Sequence, residues 1–335
     1  MALSASTNPA PATAATAAQQ MEKLLARPPR SLWSDARQRL LQNKAAVVSM
    51  IVIVLVALLA IAAPWIAPYN PLELHSGKGF LPPVWVEKSP TGKTGSADFL
   101  LGTDNLGRDV LSRTLYGARV SMVVGFVPTA IILLIGITVG MVAGYGGGRT
   151  DNLLMRLTDI IYAFPDLLFF IIVMTALRNT LLGQTLNGLL LLFAALAIVN
   201  WVGVARLVRG QVLALKEREF VTASQMIGAS SVRTMFRHIL PNSLSPIIVS
   251  AAFQIPGAII TEAVLGYLGL GLRPATDPDE LFITSWGAML LEGQSAINNQ
   301  PWLLIVPALC VATLVLAFNF LGDGLRDALD PHLKQ

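Results

Sequence analysis

At 335 residues, with 54% hydrophobic side chains, only 13% charged ones and a mean hydropathy of +0.62, the chain is too apolar for a water-soluble globule. It reads as an integral membrane protein. Its single cysteine, Cys310, lies in an apolar run, which excludes a disulfide framework and a thiolate metal site. The net charge of +4 is modest, and because the basic residues gather in particular segments it reports orientation in a membrane rather than nucleic-acid binding.

Residues 1–30 begin with an Ala-, Thr- and Pro-rich stretch without periodicity, which reads as a disordered cytoplasmic tail. No apolar run follows at the distance a signal peptide requires. In residues 31–44, Leu32, Trp33, Ala36 and Leu40 fall near one side and Arg37 and Arg39 on the other, predicting an interfacial amphipathic helix. Six runs are long enough to cross about 30 Å of hydrocarbon at 1.5 Å per residue. They are Ala45–Ala67, Val120–Gly144, Leu157–Leu177, Leu186–Leu207, Leu244–Leu268 and Trp302–Leu321. The organisation expected is therefore a first span at 45–67, an extracytoplasmic loop at 68–119, a core of five spans at 120–322 and a C-terminal tail at 323–335.

Lys23, Arg27, Arg30, Arg37, Arg39 and Lys44 precede the first span, and Arg206, Arg209, Lys216, Arg218, Arg233 and Arg237 follow the fourth. The positive-inside bias places both segments, and hence both termini, in the cytoplasm. The segment before the last span carries Arg273 against Asp277, Asp279, Glu280 and Glu292 and is expected outside. In the first loop, Asp104 is expected to cap a surface helix in which Asp109 pairs with Arg113 four residues on. Gly136, Gly140 and Gly144 recur every four residues in the second span, a small-residue face for close helix approach either within the chain or against another.

Three carboxylates fall at membrane depth, where a charge must be compensated. Asp159 and Asp166 are seven residues apart, so an unbroken helix puts them on one face, with Pro165 between them; Asp159 can escape to headgroups or to Arg156. Glu262 either lines a water-filled pathway or hydrogen-bonds a neighbouring helix.

Residues 208–243 form a basic cytoplasmic segment. Phe220, Ala223, Ser224 and Ile227 share one helical face, and Gly228 ends that helix as a glycine able to adopt positive φ. Val232, Met235, Phe236 and Ile239 make a second apolar face, stopped by Pro241. On these residues alone the pair either lies on headgroups or presents a knuckle to a soluble partner.

The stretch GASSVRTMFRHILPN resembles the cytoplasmic loop of ABC importer permeases, whose pattern is Glu-Ala-Ala, three residues, Gly, nine residues, Ile, one residue, Leu-Pro. Ala223, Gly228, Leu240 and Pro241 match it. Thr222 stands in place of Glu, Ser224 in place of the second Ala, and His238 in place of Ile. SLWSDARQRLLQNKAAV, LGTDNLGRDVLSR, MRLTDIIYAFPD, ARLVRGQVLALKEREF, SWGAMLLEG and FNFLGDGLRDALDP are similar to blocks of the second, C-type permease subunit of oligopeptide and dipeptide importers. The resemblance implies an all-α, six-span type I permease of the bacterial inner membrane. It also implies a homologous permease partner, two cytoplasmic ATP-binding subunits that hold ATP and Mg, and an extracytoplasmic peptide-binding protein. Phe220, Ala223, Ser224, Ile227, Gly228, Ala229, Arg233, Leu240 and Pro241 become the ATPase-coupling loop. Related subunits serve nickel chelates or glutathione. The chain has no G-x-x-x-x-G-K-[ST] phosphate loop, so no catalytic residue, metal site or cofactor is expected on it. The rival reading is a proton-coupled secondary transporter relaying protons through Asp159, Asp166 or Glu262. An intramembrane hydrolase lacks a nucleophile–histidine pair at depth.

Overall fold

The computed structural model describes residues 32–278 and 280–330; the expected N-terminal tail and the last five residues lie outside them. The described residues are helical, with one isolated bridge, Thr103 to Asp109, and no strand. Helix α1 (Leu32–Gln42) is followed at once by α2 (Lys44–Ile66), where Asn43 caps the new helix by accepting from the Ala46 N–H at 3.2 Å. Ala36 of α1 is buried, and Arg39 donates to the Asp330 carbonyl at 3.3 Å, so α1 leans on the end of the last helix.

Helix α3 (Val110–Gly146) absorbs the expected surface helix of the first loop into one 37-residue rod. Its cap is Asp109, which accepts from Ser112 N–H at 2.8 Å; Asp104 lies further back, in the loop. Both sequence assignments at this point are thereby corrected. The reason is that Asp109 directly precedes the apolar run, whereas Gly107 (φ +80) still turns the chain after Asp104.

The expected third span is two helices, α4 (Gly148–Tyr162) and α5 (Asp166–Ala176), bent by 78°. Pro165 has no N–H to continue the ladder, and the residue before it avoids helical ψ, so the chain breaks there rather than loosening. After a short helix, α6 (Leu181–Gln184), Leu186 and Asn187 adopt positive φ, and α7 runs from Leu189 to Leu215. The small helices α8 (Glu219–Met226) and α9 (Ser231–Thr234) lead to α10 (Leu240–Tyr267), then α11 (Trp286–Ser295) and α12 (Trp302–Leu329). Five helical segments are long and apolar enough to cross a membrane, and the bent pair makes a sixth. The last helix continues past the expected start of the C-terminal tail at 323.

The glycine face is used within the chain, against α7. A Cβ at Gly136 would lie 2.6 Å from Val204, one at Gly140 2.5 Å from the Ala205 carbonyl oxygen, and one at Gly144 2.8 Å from Val212. Side chains at these positions would force apart two backbones in contact, so α3 and α7 form one column. Gly140→Ala should lower the thermal unfolding temperature of the purified subunit, at about 1–3 kcal/mol for an overpacked site. Gly203→Ala on α7, where an added Cβ meets nothing within 4 Å, should be neutral.

Candidate coupling surface

At one end of the α3–α7 column, Lys216 follows α7 and donates to the Gly144 carbonyl at 3.3 Å, fastening the exit of the chain. Helix α8 then turns Val221 and Ser224 inward. Val221 and Ile239 are fully buried in the apolar cluster that holds Val204, Val208 and Val212 of α7 and Met141 of α3. What remains outside is apolar: Phe220, Ala223, Met226 (82% exposed), Ile227 (86% exposed), Val232 and Phe236. The first four lie on an eight-residue helix and the turn after it, Val232 and Phe236 on the helical turns that follow, and together they make a projecting knuckle.

Gly228 builds the knuckle's corner. Its φ is +83°, its N–H reaches the Gln225 carbonyl at 2.9 Å, and the Ala229 N–H reaches Ser224 at 3.1 Å. This paired closure of a helix C-terminus by a left-handed residue satisfies two carbonyls at once. A Cβ on Gly228 would meet nothing within 4 Å, so the position faces open space. Ser230 restarts the chain by accepting from the Arg233 N–H at 3.3 Å, and Arg233 is exposed.

Pro241 does not stop the second helix. A π-turn at Met235–Ile239 widens the ladder ahead of it, and the helix continues through Leu240, half-buried, and Pro241, exposed, into α10. The wider turn accommodates the missing N–H and the ring that would strike the carbonyl of Arg237. The apolar face read from periodicity is also rotated: Ser224 turns inward while Phe220, Ala223 and Ile227 turn out. Sequence reasoning missed Val221 as an anchor, although it is a β-branched residue one step from Phe220, and placed Ile239 on an apolar face of which Val232 and Phe236 turn outward. It missed Tyr145 as well, whose hydroxyl accepts from Gln225 at 3.2 Å.

The three carboxylates at membrane depth separate. Asp159 pairs with Arg206 of α7 at 2.7 Å, and the guanidinium lies over the Tyr162 ring at 4.6 Å, so neither Arg156 nor a headgroup is needed. Asp166 opens α5 on the far side of the 78° break and shares no helix face with Asp159. Glu262 is fully buried, beside the start of α11: Ser285, the cap of that helix, adjoins its carboxyl, and a Cβ at Gly287 would lie 3.1 Å from Oε1. Gly266 and Gly287 let α10 and α11 touch backbone to backbone there, so Glu262 faces a neighbouring helix and not a free surface. No group of three or more His, Cys, Asp or Glu that could hold a metal occurs among the described residues.

The opposite end of α3 carries a charge cluster. Arg113, 4% exposed, bridges Asp104 and Glu292, donating to Glu292 Oε1 at 2.9 Å; Arg108 adds Nε to Asp104 at 2.6 Å and Nη2 to Glu292 at 3.2 Å. Arg113 therefore pairs across the fold rather than with Asp109. The two guanidiniums outweigh the burial of Glu292 and hold its carboxyl below the usual range.

Among the described residues, an all-helical chain with several membrane-length helices and a glycine-cornered knuckle after its fourth span has the plan of a transport permease. The fold is that of an ABC importer permease: the methionine ABC transporter MetNI, in an inward-facing crystal form, superposes with a TM-score of 0.51 at 18% identity over 66% of this chain and 97% of that one. Residues 136–335 match the family described as binding-protein-dependent transport system inner membrane component, and residues 31–83 the N-terminal transmembrane domain of oligopeptide transport permease C. The oligopeptide transport system permease protein OppC of Bacillus subtilis is 42% identical over 98% of this chain and 97% of its own length. The dipeptide transport system permease protein DppC of Haemophilus influenzae is 42% identical over 88% and 92%. The chain belongs to the binding-protein-dependent inner-membrane permeases, in the branch of the C-type peptide permeases.

Proposed function

We propose that this chain is one half of the translocation pathway of an ATP-driven importer of oligopeptides or dipeptides. In this reading it pairs with a homologous permease, receives peptide from an extracytoplasmic binding protein, and is driven by two ATPase subunits seated on the knuckle at Phe220–Arg233. The observation that carries the reading is the knuckle itself. Met226, Ile227 and Gly228 project with none of the described residues over them, while Val221 and Ile239 fix them to the α3–α7 column. A membrane-surface helix pair needs no such rigid attachment. ATP chemistry belongs to the partner subunits, and this chain contributes no catalytic group.

The same reading puts the Gly228 end in the cytoplasm and the Arg113 cluster outside. In Cys310→Ala protein, a cysteine placed at Pro278 should react with an impermeant thiol reagent added from outside, and one at Ser230 should not. Equal reaction at both would reverse or abolish this topology. In vesicles holding the complete transporter, peptide uptake should require ATP and persist with a protonophore. Uptake that ignores ATP and collapses with the protonophore would instead establish a secondary transporter.

A further inference from the structure

The broken span carries an exposed carboxylate, Asp166, at its break. Arg178, just beyond α5, donates to the Gly269 carbonyl at 3.2 Å, which ties that end of α5 to the end of α10. From there α5 has only 11 residues down to Asp166. At 1.5 Å per residue that is about 16 Å, roughly half of the ~30 Å hydrocarbon thickness.

Asp166 is exposed, and among the described residues no ion pair or side-chain hydrogen bond holds its carboxylate. Tyr162 (69% exposed) and Phe164 flank the break, and the Asp159–Arg206 pair lies on its other side. Elsewhere along these helices Asp151 takes Arg209 Nε and Nη2, at 2.6 and 2.7 Å, and Glu262 is fully buried against α11 rather than exposed. The lipid-type face of α2, by contrast, is wholly apolar: Val48, Ile51, Leu55, Leu58 and Ile61.

Hydrocarbon accepts neither an ionised carboxylate at its centre nor a helix break facing it; irregular backbone at that depth is found buried in protein or beside water. We infer that Asp166, with Tyr162 and the Asp159–Arg206 pair, lines the hydrated passage and that its carboxylate meets the cationic amino terminus of the passing peptide. This rests on the reading of the chain as half of a peptide pathway.

The test uses the complete transporter in vesicles, carrying Cys310→Ala with either Asp166→Cys or Leu58→Cys, and a small impermeant cationic thiol reagent. Asp166→Cys should be modified, more slowly when peptide and binding protein are supplied, and Leu58→Cys should not. Asp166→Asn, which keeps the side-chain shape, should lower the maximal uptake rate several-fold while peptide binding to the binding protein is unchanged. Asp166→Cys that stays unmodified in a transporter whose subunits still co-purify overturns the lining. Wild-type uptake by Asp166→Asn overturns the ammonium contact. Absence of ATP-dependent uptake in the unsubstituted transporter would instead sink the importer reading, so the failures are distinguishable.

Discussion

Gly228→Val should leave the subunit inserted and paired with its permease partner yet abolish peptide-stimulated ATP hydrolysis and uptake. The chain's own fold loses little, because the added Cβ meets no atom of the described residues within 4 Å. The cost is the strain of a Cβ at φ +83°, of the order of 1 kcal/mol or more, which also loosens the two hydrogen bonds that close α8. The larger effect is at the surface, where a branched side chain beside Met226 and Ile227 props a partner away from the corner. Ala223→Arg should act alike, whereas Gln225→Ala, which deletes only the bond to Tyr145, should be mild. Co-purification of the ATPase subunits and hydrolysis in liposomes with the binding protein measure both steps. Full coupling in Gly228→Val and Ala223→Arg together would return the knuckle to the status of a surface helix pair.

The second large effect is expected at the other end. Arg113→Ala strips the buried bridge between Asp104 and Glu292 and should destabilise the subunit by about 3 kcal/mol, the low end for a broken buried pair because Arg108 still reaches both carboxylates. Unfolding of the detergent-solubilised subunit, followed by heat-induced aggregation, measures it. Combining Arg113→Met and Arg108→Met with Asp104→Asn and Glu292→Gln should recover much of the loss, since no unpaired charge of the cluster is then left buried. The depressed pKa of Glu292 adds a pH signature: its contribution is complete above the ordinary carboxylate range and fades as pH falls through the lower, folded-state value. In Arg113→Ala that acid sensitivity should be weaker. Identical acid profiles for the two proteins would show that the cluster is not a stabilising unit.

Much of this architecture was legible from runs of apolar residues, because a membrane span has a minimum length and the alphabet that fills it is narrow. The first, second, fifth and last spans fall on helices within a few residues at most boundaries, the second with a helical extension at its start. The third span misled, since hydropathy counts residues but is blind to direction: Leu157–Leu177 is apolar across a bend that only Pro165 signals. Pro241 misled in the opposite sense, for a proline ends a helix only when no wider turn absorbs it. Gly228 was readable because positive φ has few occupants. The partner of Asp159 was not, because a pair 47 residues apart obeys no local spacing. Arg113 was assigned to the carboxylate four residues away, whereas its partners are set by tertiary packing.

The Arg113 cluster also orders events during synthesis. One carboxylate, Asp104, lies nine residues before the arginine and emerges first; the other, Glu292, lies 179 residues after it and belongs to a helix made near the end. A nascent chain can therefore neutralise Arg113 locally as soon as α3 is inserted, and the remote carboxylate completes the cluster only after α10 has been threaded. Closure of this cluster thus marks a finished subunit. A chain truncated before Glu292 keeps Arg113 compensated by Asp104 alone.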